Sequence, residues 1–150
     1  MRRLTANSCA DSIVSSPLTL SFDMGNATLM DAVWDLITNT EALAINRAWF
    51  GHPGTLKNNS GAKEWQVWSK PLSTDGTMVA VLLVSTSNTA TATMTLQLGD
   101  FVVSGSAMVR DVWAHKDLGT HSGSMSFPIS AAHDSVFLTL TAASAHDAAK

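Results

Sequence analysis

The chain has 150 residues, 45% of them hydrophobic and only 14% charged, with a formal net charge of −3. That length holds one ordinary domain, or a small domain and part of another. A pI near 5.9 leaves no basic footprint, so nucleic acid is excluded as the expected partner. No apolar run reaches the ~18 residues of a membrane helix, so no membrane association is expected.

Charged residues usually make up about a quarter of a soluble domain. Their scarcity here, beside many Ser, Thr, Ala and Val, suits a β-rich and extracellular protein. Cys9 is the single cysteine, so no disulfide closes within the chain. It reads either as a small buried hydrophobe or as the partner of a residue outside these 150. Met1-Arg2-Arg3-Leu4 imitates the charged start of a signal peptide, but Thr5 to Ser12 is too polar for the apolar core of one. No targeting segment is therefore expected. Asn26-Ala27-Thr28 and Asn58-Asn59-Ser60 fit the N-glycosylation pattern, which matters only for a secreted chain.

In chain order, residues 4–14 carry a weak helical pattern that should stop ahead of Pro17, because Ser16 precedes a proline and favours extended geometry. Leu18 to Phe22 alternates as a strand, and Asp23-Met24-Gly25-Asn26 supplies turn chemistry. Thr28 and Asp31 predict a capping box for a helix with Met30, Val33, Trp34 and Ile37 on one face. A second helix is expected from Thr40-Glu41, with Leu43, Ala44, Ile45 and Trp49 as its apolar side, ending at Gly51-His52-Pro53-Gly54. Residues 55–62 read as a polar linker.

From Lys63 the period becomes two. Strands are predicted over 64–70, 78–85, 92–98, 108–114, 123–129 and 135–141, with Pro71 as a stop and Asp75-Gly76 as a hairpin turn. Strands at roughly ten-residue spacing suggest an antiparallel sandwich or barrel. A strand and two helices ahead of such a set form no fold of their own and read as the end of something larger.

The chemistry is sparse. Five scattered histidines show no ligand spacing, so no metal and no cofactor is expected. Gly119-Thr120-His121-Ser122-Gly123 places its serine wrongly for a nucleophile elbow and reads as a flexible loop. Glycoside cleavage needs two carboxylates facing each other. Asp31 is better used in helix capping and Asp35 on a solvated face. Asp23 directly follows a strand, and it serves either an Asx-type turn or the substrate rim at the mouth of a parallel barrel. Trp65 and Trp68 differ by an odd number and must face opposite sides of a strand. Core or interdomain packing is the expectation for these two and for Trp49 and Trp113.

Three early segments carry a resemblance: Ser16-Pro17-Leu18 to Asp23, Asn39-Thr40-Glu41-Ala42-Leu43-Ala44-Ile45-Asn46, and Gly51-His52-Pro53-Gly54. With Val67-Trp68-Ser69-Lys70-Pro71-Leu72, Val79 to Leu83 and Val109 to Gly119, they resemble the C-terminal third of family 27 glycoside hydrolases, the α-galactosidases. The sequence departs from that family at Asn46-Arg47, where Asn-Gln is usual. The resemblance implies the last β/α unit of a (β/α)8 TIM barrel (residues 1–54), the linker 55–62, and a C-terminal antiparallel β-sandwich (residues 63–150).

The resemblance also implies a retaining hydrolase of terminal α-galactosides, secreted or lysosomal/vacuolar. Its nucleophile and acid/base aspartates belong to earlier barrel strands, so no catalytic residue is expected in this chain, and Asp23 is its one candidate substrate-binding residue. A non-catalytic carbohydrate-binding or interaction sandwich is the alternative.

Overall fold

The computed structural model describes Ile13, Ser15 and residues 23–57, 65–86, 92–102, 105–129 and 134–143. Apart from Ile13, the expected helix over 4–14 and the strand over 18–22 lie outside the described residues, as does Cys9.

Asp23 begins a tight turn: its Oδ1 accepts from the Gly25 amide at 2.8 Å, and its carbonyl from the Asn26 amide at 3.1 Å. Helix α1 follows (Ala27–Ile37). The expected Thr28–Asp31 capping box does not form. Asn26 is the N-cap, with its Oδ1 accepting from the Leu29 amide at 3.1 Å. The turn already delivers Asn26 in extended geometry, φ −85° and ψ 102°. Asn caps at least as well as Thr, so the helix starts early and Thr28 and Asp31 fall inside it. The buried side chain of α1 is Leu36, whereas Trp34, placed from the sequence on one face with Met30, Val33 and Ile37, is 53% exposed.

Helix α2 (Thr40–Arg47) buries Ala42 and Ile45, which lie three apart and so share one side of the helix. Trp49, assigned to that side from the sequence, is exposed.

Eight strands follow: β1 (Thr55–Lys57), β2 (Trp65–Pro71), β3 (Met78–Ser85), β4 (Ala92–Gln97), β5 (Ser106–Asp111), β6 (Lys116–Ser122), β7 (Ser124–Ile129) and β8 (Ser135–Ala142). They form a six-stranded sheet in the order β1-β2-β3-β8-β5-β6 and a two-stranded sheet of β4 and β7, antiparallel throughout. The β2–β3 turn is built by Asp75, whose Oδ1 accepts from the Thr77 amide and hydroxyl, and by Gly76 at φ +72°.

The two sheets pack face to face through Val67, Val81, Leu83, Met94, Leu96, Leu98, Val109, Leu138 and Leu140. Met94, Leu96 and Leu98 are buried while Thr93, Thr95 and Gln97 are exposed, so β4 has one wet face and its alternation was readable. Strand β3 is different. Val81 and Leu83 face the sandwich core, and Ala80, Leu82 and Val84 join a second core with Ile13, Ala42, Ile45, Val112 and Phe137. A strand covered on both faces needs no polar alternation, which explains its continuous apolar run. Trp65 packs on the first core and Trp68 on the second, as their odd spacing requires.

Two strands were missed. Thr55–Lys57, expected as linker, is the edge strand β1, pairing Leu56 with Trp68. Lys116–Ser122 is the edge strand β6, so the reading of residues 119–123 as a flexible loop is corrected. Its side chains are mostly exposed, with Leu118 reaching the core. Gly119, at φ +89°, sits where the pairing with β5 slips between Val109 and Arg110; such a bulge suits glycine. Neither edge carries the apolar period that announces an interior strand.

Candidate functional site

The polar chemistry of the described residues concentrates where helix α2 lies on the outer face of the large sheet. Asn39 opens the helix. Its Oδ1 accepts from the amides of Glu41 (3.0 Å) and Ala42 (2.9 Å), and its Nδ2 donates to the Val112 carbonyl at 2.9 Å. One buried side chain thus caps the helix and ties it to the turn after β5.

At the other end, fully buried Lys70 of β2 donates through Nζ to the carbonyls of Ile45 and Asn46 and to the Ser15 hydroxyl. A cation there meets the negative end of the helix and its unpaired carbonyls. Burial pushes the Lys70 pKa below its ordinary value.

Between these ends Glu41 grips Arg110 of β5 with both oxygens, Oε2 accepting from Nε at 2.8 Å and Oε1 from a terminal nitrogen at 2.7 Å. His115 Nδ1 lies 2.7 Å from the same Oε1, and Asp117 accepts from Arg110 at 2.8 Å. The hydrogen bond from Arg110 is the main reason the Glu41 pKa falls to about 2, with His115 adding to it, and Arg110 is raised in turn. Glu41 and Asp117 therefore bracket one guanidinium. Glu41 has no proton to donate at ordinary pH, so it is a poor general acid. The cluster is a clamp between helix and sheet.

Gly54 makes a further close contact. Its amide donates to the Ile13 carbonyl at 3.1 Å, and a Cβ there would come within 2.4 Å of that oxygen. Beside the clamp lies an apolar groove of about 320 Å³ walled by Ala44, Ile45, Leu72, Met78 and Thr139. A second groove of about 360 Å³ opens over β1 and β2, with Phe101, Asp100, His52, Lys57 and Ser69 among its walls.

Asp23 is far in character from this clamp, being exposed and engaged in its own turn. The Asx-turn geometry is present. The sequence reading missed Asn39, Glu41, Lys70, Arg110 and His115. Lys70 is not marked out locally, since its strand also carries Gln66 and Ser69.

An antiparallel sandwich of a six-stranded and a two-stranded sheet, with a helix clamped to its outer face, defines a β-sandwich domain. Residues 62–140 match the alpha galactosidase C-terminal beta sandwich domain. The chain belongs to that family, as part of the C-terminal region of family 27 α-galactosidases.

It is 33% identical over 131 residues to alpha-galactosidase 3 of Arabidopsis thaliana, covering 86% of this chain and 29% of that protein. It is 30% identical over 133 residues to a probable alpha-galactosidase of Dictyostelium discoideum, covering 87% of this chain and 33% of the relative. Alpha-galactosidase I from Mortierella vinacea superposes with a TM-score of 0.75 at 25% identity, over 92% of this chain and 36% of that one. The chain thus spans about a third of the length of these relatives.

Proposed function

We propose that these residues form the C-terminal part of a retaining glycoside hydrolase acting on terminal α-galactosides. The match of residues 62–140 to the sandwich domain carries this reading. Residues 1–54 then end a (β/α)8 barrel, and the catalytic aspartates are supplied by barrel residues outside these 150. Exposed apolar side chains on the helical part support it: Leu29, Trp34 and Trp49 are 43%, 53% and 61% accessible, more than a surface helix usually leaves in water. Asp23 sits at the barrel rim in this reading, and the protein works in a secreted, lysosomal or vacuolar setting. The low pKa of Glu41 keeps its clamp charged even in the acidic lumen of a lysosome or vacuole.

The purified 150-residue chain is expected to release no product from an aryl α-galactoside. Joined to a relative's barrel in place of that enzyme's own C-terminal third, it is expected to give a soluble, active hydrolase. Turnover by the isolated chain, or a chimera that is active only after the graft is cut away, overturns the proposal. In the active chimera, Asp23→Asn keeps the Asx turn, since Asn makes the same bond, and should raise KM with thermal stability unchanged. An unaltered KM removes Asp23 from the rim.

The groove over β1 and β2 favours a second reading, a sugar-binding module, because it offers an aromatic ring beside polar groups. Retention of the isolated chain on immobilised galactosides, lost in Phe101→Ala, would select that reading.

A further inference from the structure

We propose that Asn26 is an N-glycan acceptor. Asn26-Ala27-Thr28 satisfies the acceptor pattern, with a residue other than proline between the two polar positions. Three-residue matches are common by chance, and the placement of this one is what distinguishes it. Asn26, Ala27 and Thr28 are all exposed in this chain, so in the 150-residue protein a bulky, hydrated glycan meets no packed neighbour at the acceptor itself.

The hydrogen bonding of Asn26 also sorts its atoms. Its amide donates to the Asp23 carbonyl at 3.1 Å, its own carbonyl accepts from Met30 at 3.0 Å, and its Oδ1 accepts from Leu29 at 3.1 Å. Nδ2 makes no hydrogen bond among the described residues. It is the atom a glycan would occupy.

In the transfer, an Nδ2–C1 bond forms and the C1–O bond to a polyprenyl-diphosphate oligosaccharide donor breaks. The lipid diphosphate leaves, Nδ2 gives up one of its two protons, and nothing is oxidised or reduced. Because the reaction uses the nitrogen, Oδ1 stays free to cap α1, and the modified residue keeps the structural role of the unmodified one. Asn39 shows the contrast: it is buried, and both its Oδ1 and its Nδ2 are committed. Asn58-Asn59-Ser60 lies outside the described residues. The inference does not depend on hydrolase activity; it needs only that the chain enter a compartment holding the donor.

The test is to direct the 150-residue chain into the secretory route of a eukaryotic host with an added leader, carrying Asn58→Gln so that one Asn-X-Ser/Thr pattern remains. Material retained in the lumen is scored with secreted material, since transfer precedes export. The expected result is a glycan removed by peptide-N-glycanase, with Asn26 converted to aspartate in the mapped peptide. Thr28→Ala should abolish it and Thr28→Ser should retain it, both changes lying at an exposed position that does not cap the helix. A lumenal chain unmodified at Asn26, or a glycan that persists there in Thr28→Ala, overturns the proposal.

Discussion

Asn39→Ala should be among the most damaging single changes to the helical part of this molecule. The side chain is 3% exposed and makes three hydrogen bonds of 2.9–3.0 Å. Loss of the cap at α2 costs ~1 kcal/mol. Leaving the carbonyl of buried Val112 without its donor adds about 1–2 kcal/mol, for a total of ~2–3 kcal/mol. Asn39→Ser separates the two roles, since serine caps well but is too short to reach Val112, and should lose only about 1–2 kcal/mol. Urea unfolding of both variants, with the slope m unchanged, reads these losses as shifts in midpoint. An alanine variant within about 0.5 kcal/mol of the parent chain, the usual range for an uninvolved surface change, would refute the claim that Asn39 joins helix to sheet.

The Glu41 clamp should be visible in the pH dependence of stability. Its folded pKa is about 2 against an ordinary 4.5, so its contribution is complete above about pH 4.5 and disappears as pH falls through 2. Midpoints measured from pH 6 to 2 should decline less steeply in Glu41→Gln, and parallel profiles would contradict the clamp. Gly54→Ala must push a Cβ against the Ile13 carbonyl and should lose about 1–3 kcal/mol, read as a lowered melting temperature. Phe137→Ala empties a fully buried site in the second core and should lose about 3–5 kcal/mol in urea unfolding. It also removes the ring 5.2 Å from Trp113, so the tryptophan fluorescence of the folded state should change with it.

Much of the sandwich was legible because its signals are local. The Asp75-Gly76 turn, the apolar run over 78–85 and the alternation from Met94 to Leu98 each reflect a short stretch of backbone meeting its own environment. The expected strands over 123–129 and 135–141 are recovered as Ser124–Ile129 and Ser135–Ala142. The edges were not legible. β1 and β6 are held by backbone bonds to neighbours already in place, so their side chains need not alternate. The cap of α1 was misplaced for a related reason, because the Asp23 turn, rather than the best-looking hydroxyl, set where the helix began.

The sequence by itself determined that a β-rich sandwich follows a helical segment, and its ordered motifs carried the likeness to α-galactosidases. Only the tertiary structure decided what holds those two parts together. Glu41 and Arg110 are 69 residues apart, Asn39 and Val112 are 73, and Lys70 reaches back 25 to the end of α2. No local period encodes such pairs. They exist because the sheet order sets β2, β8 and β5 into one face, and a helix laid across that face must satisfy its ends and its charge with whatever side chains the sheet presents.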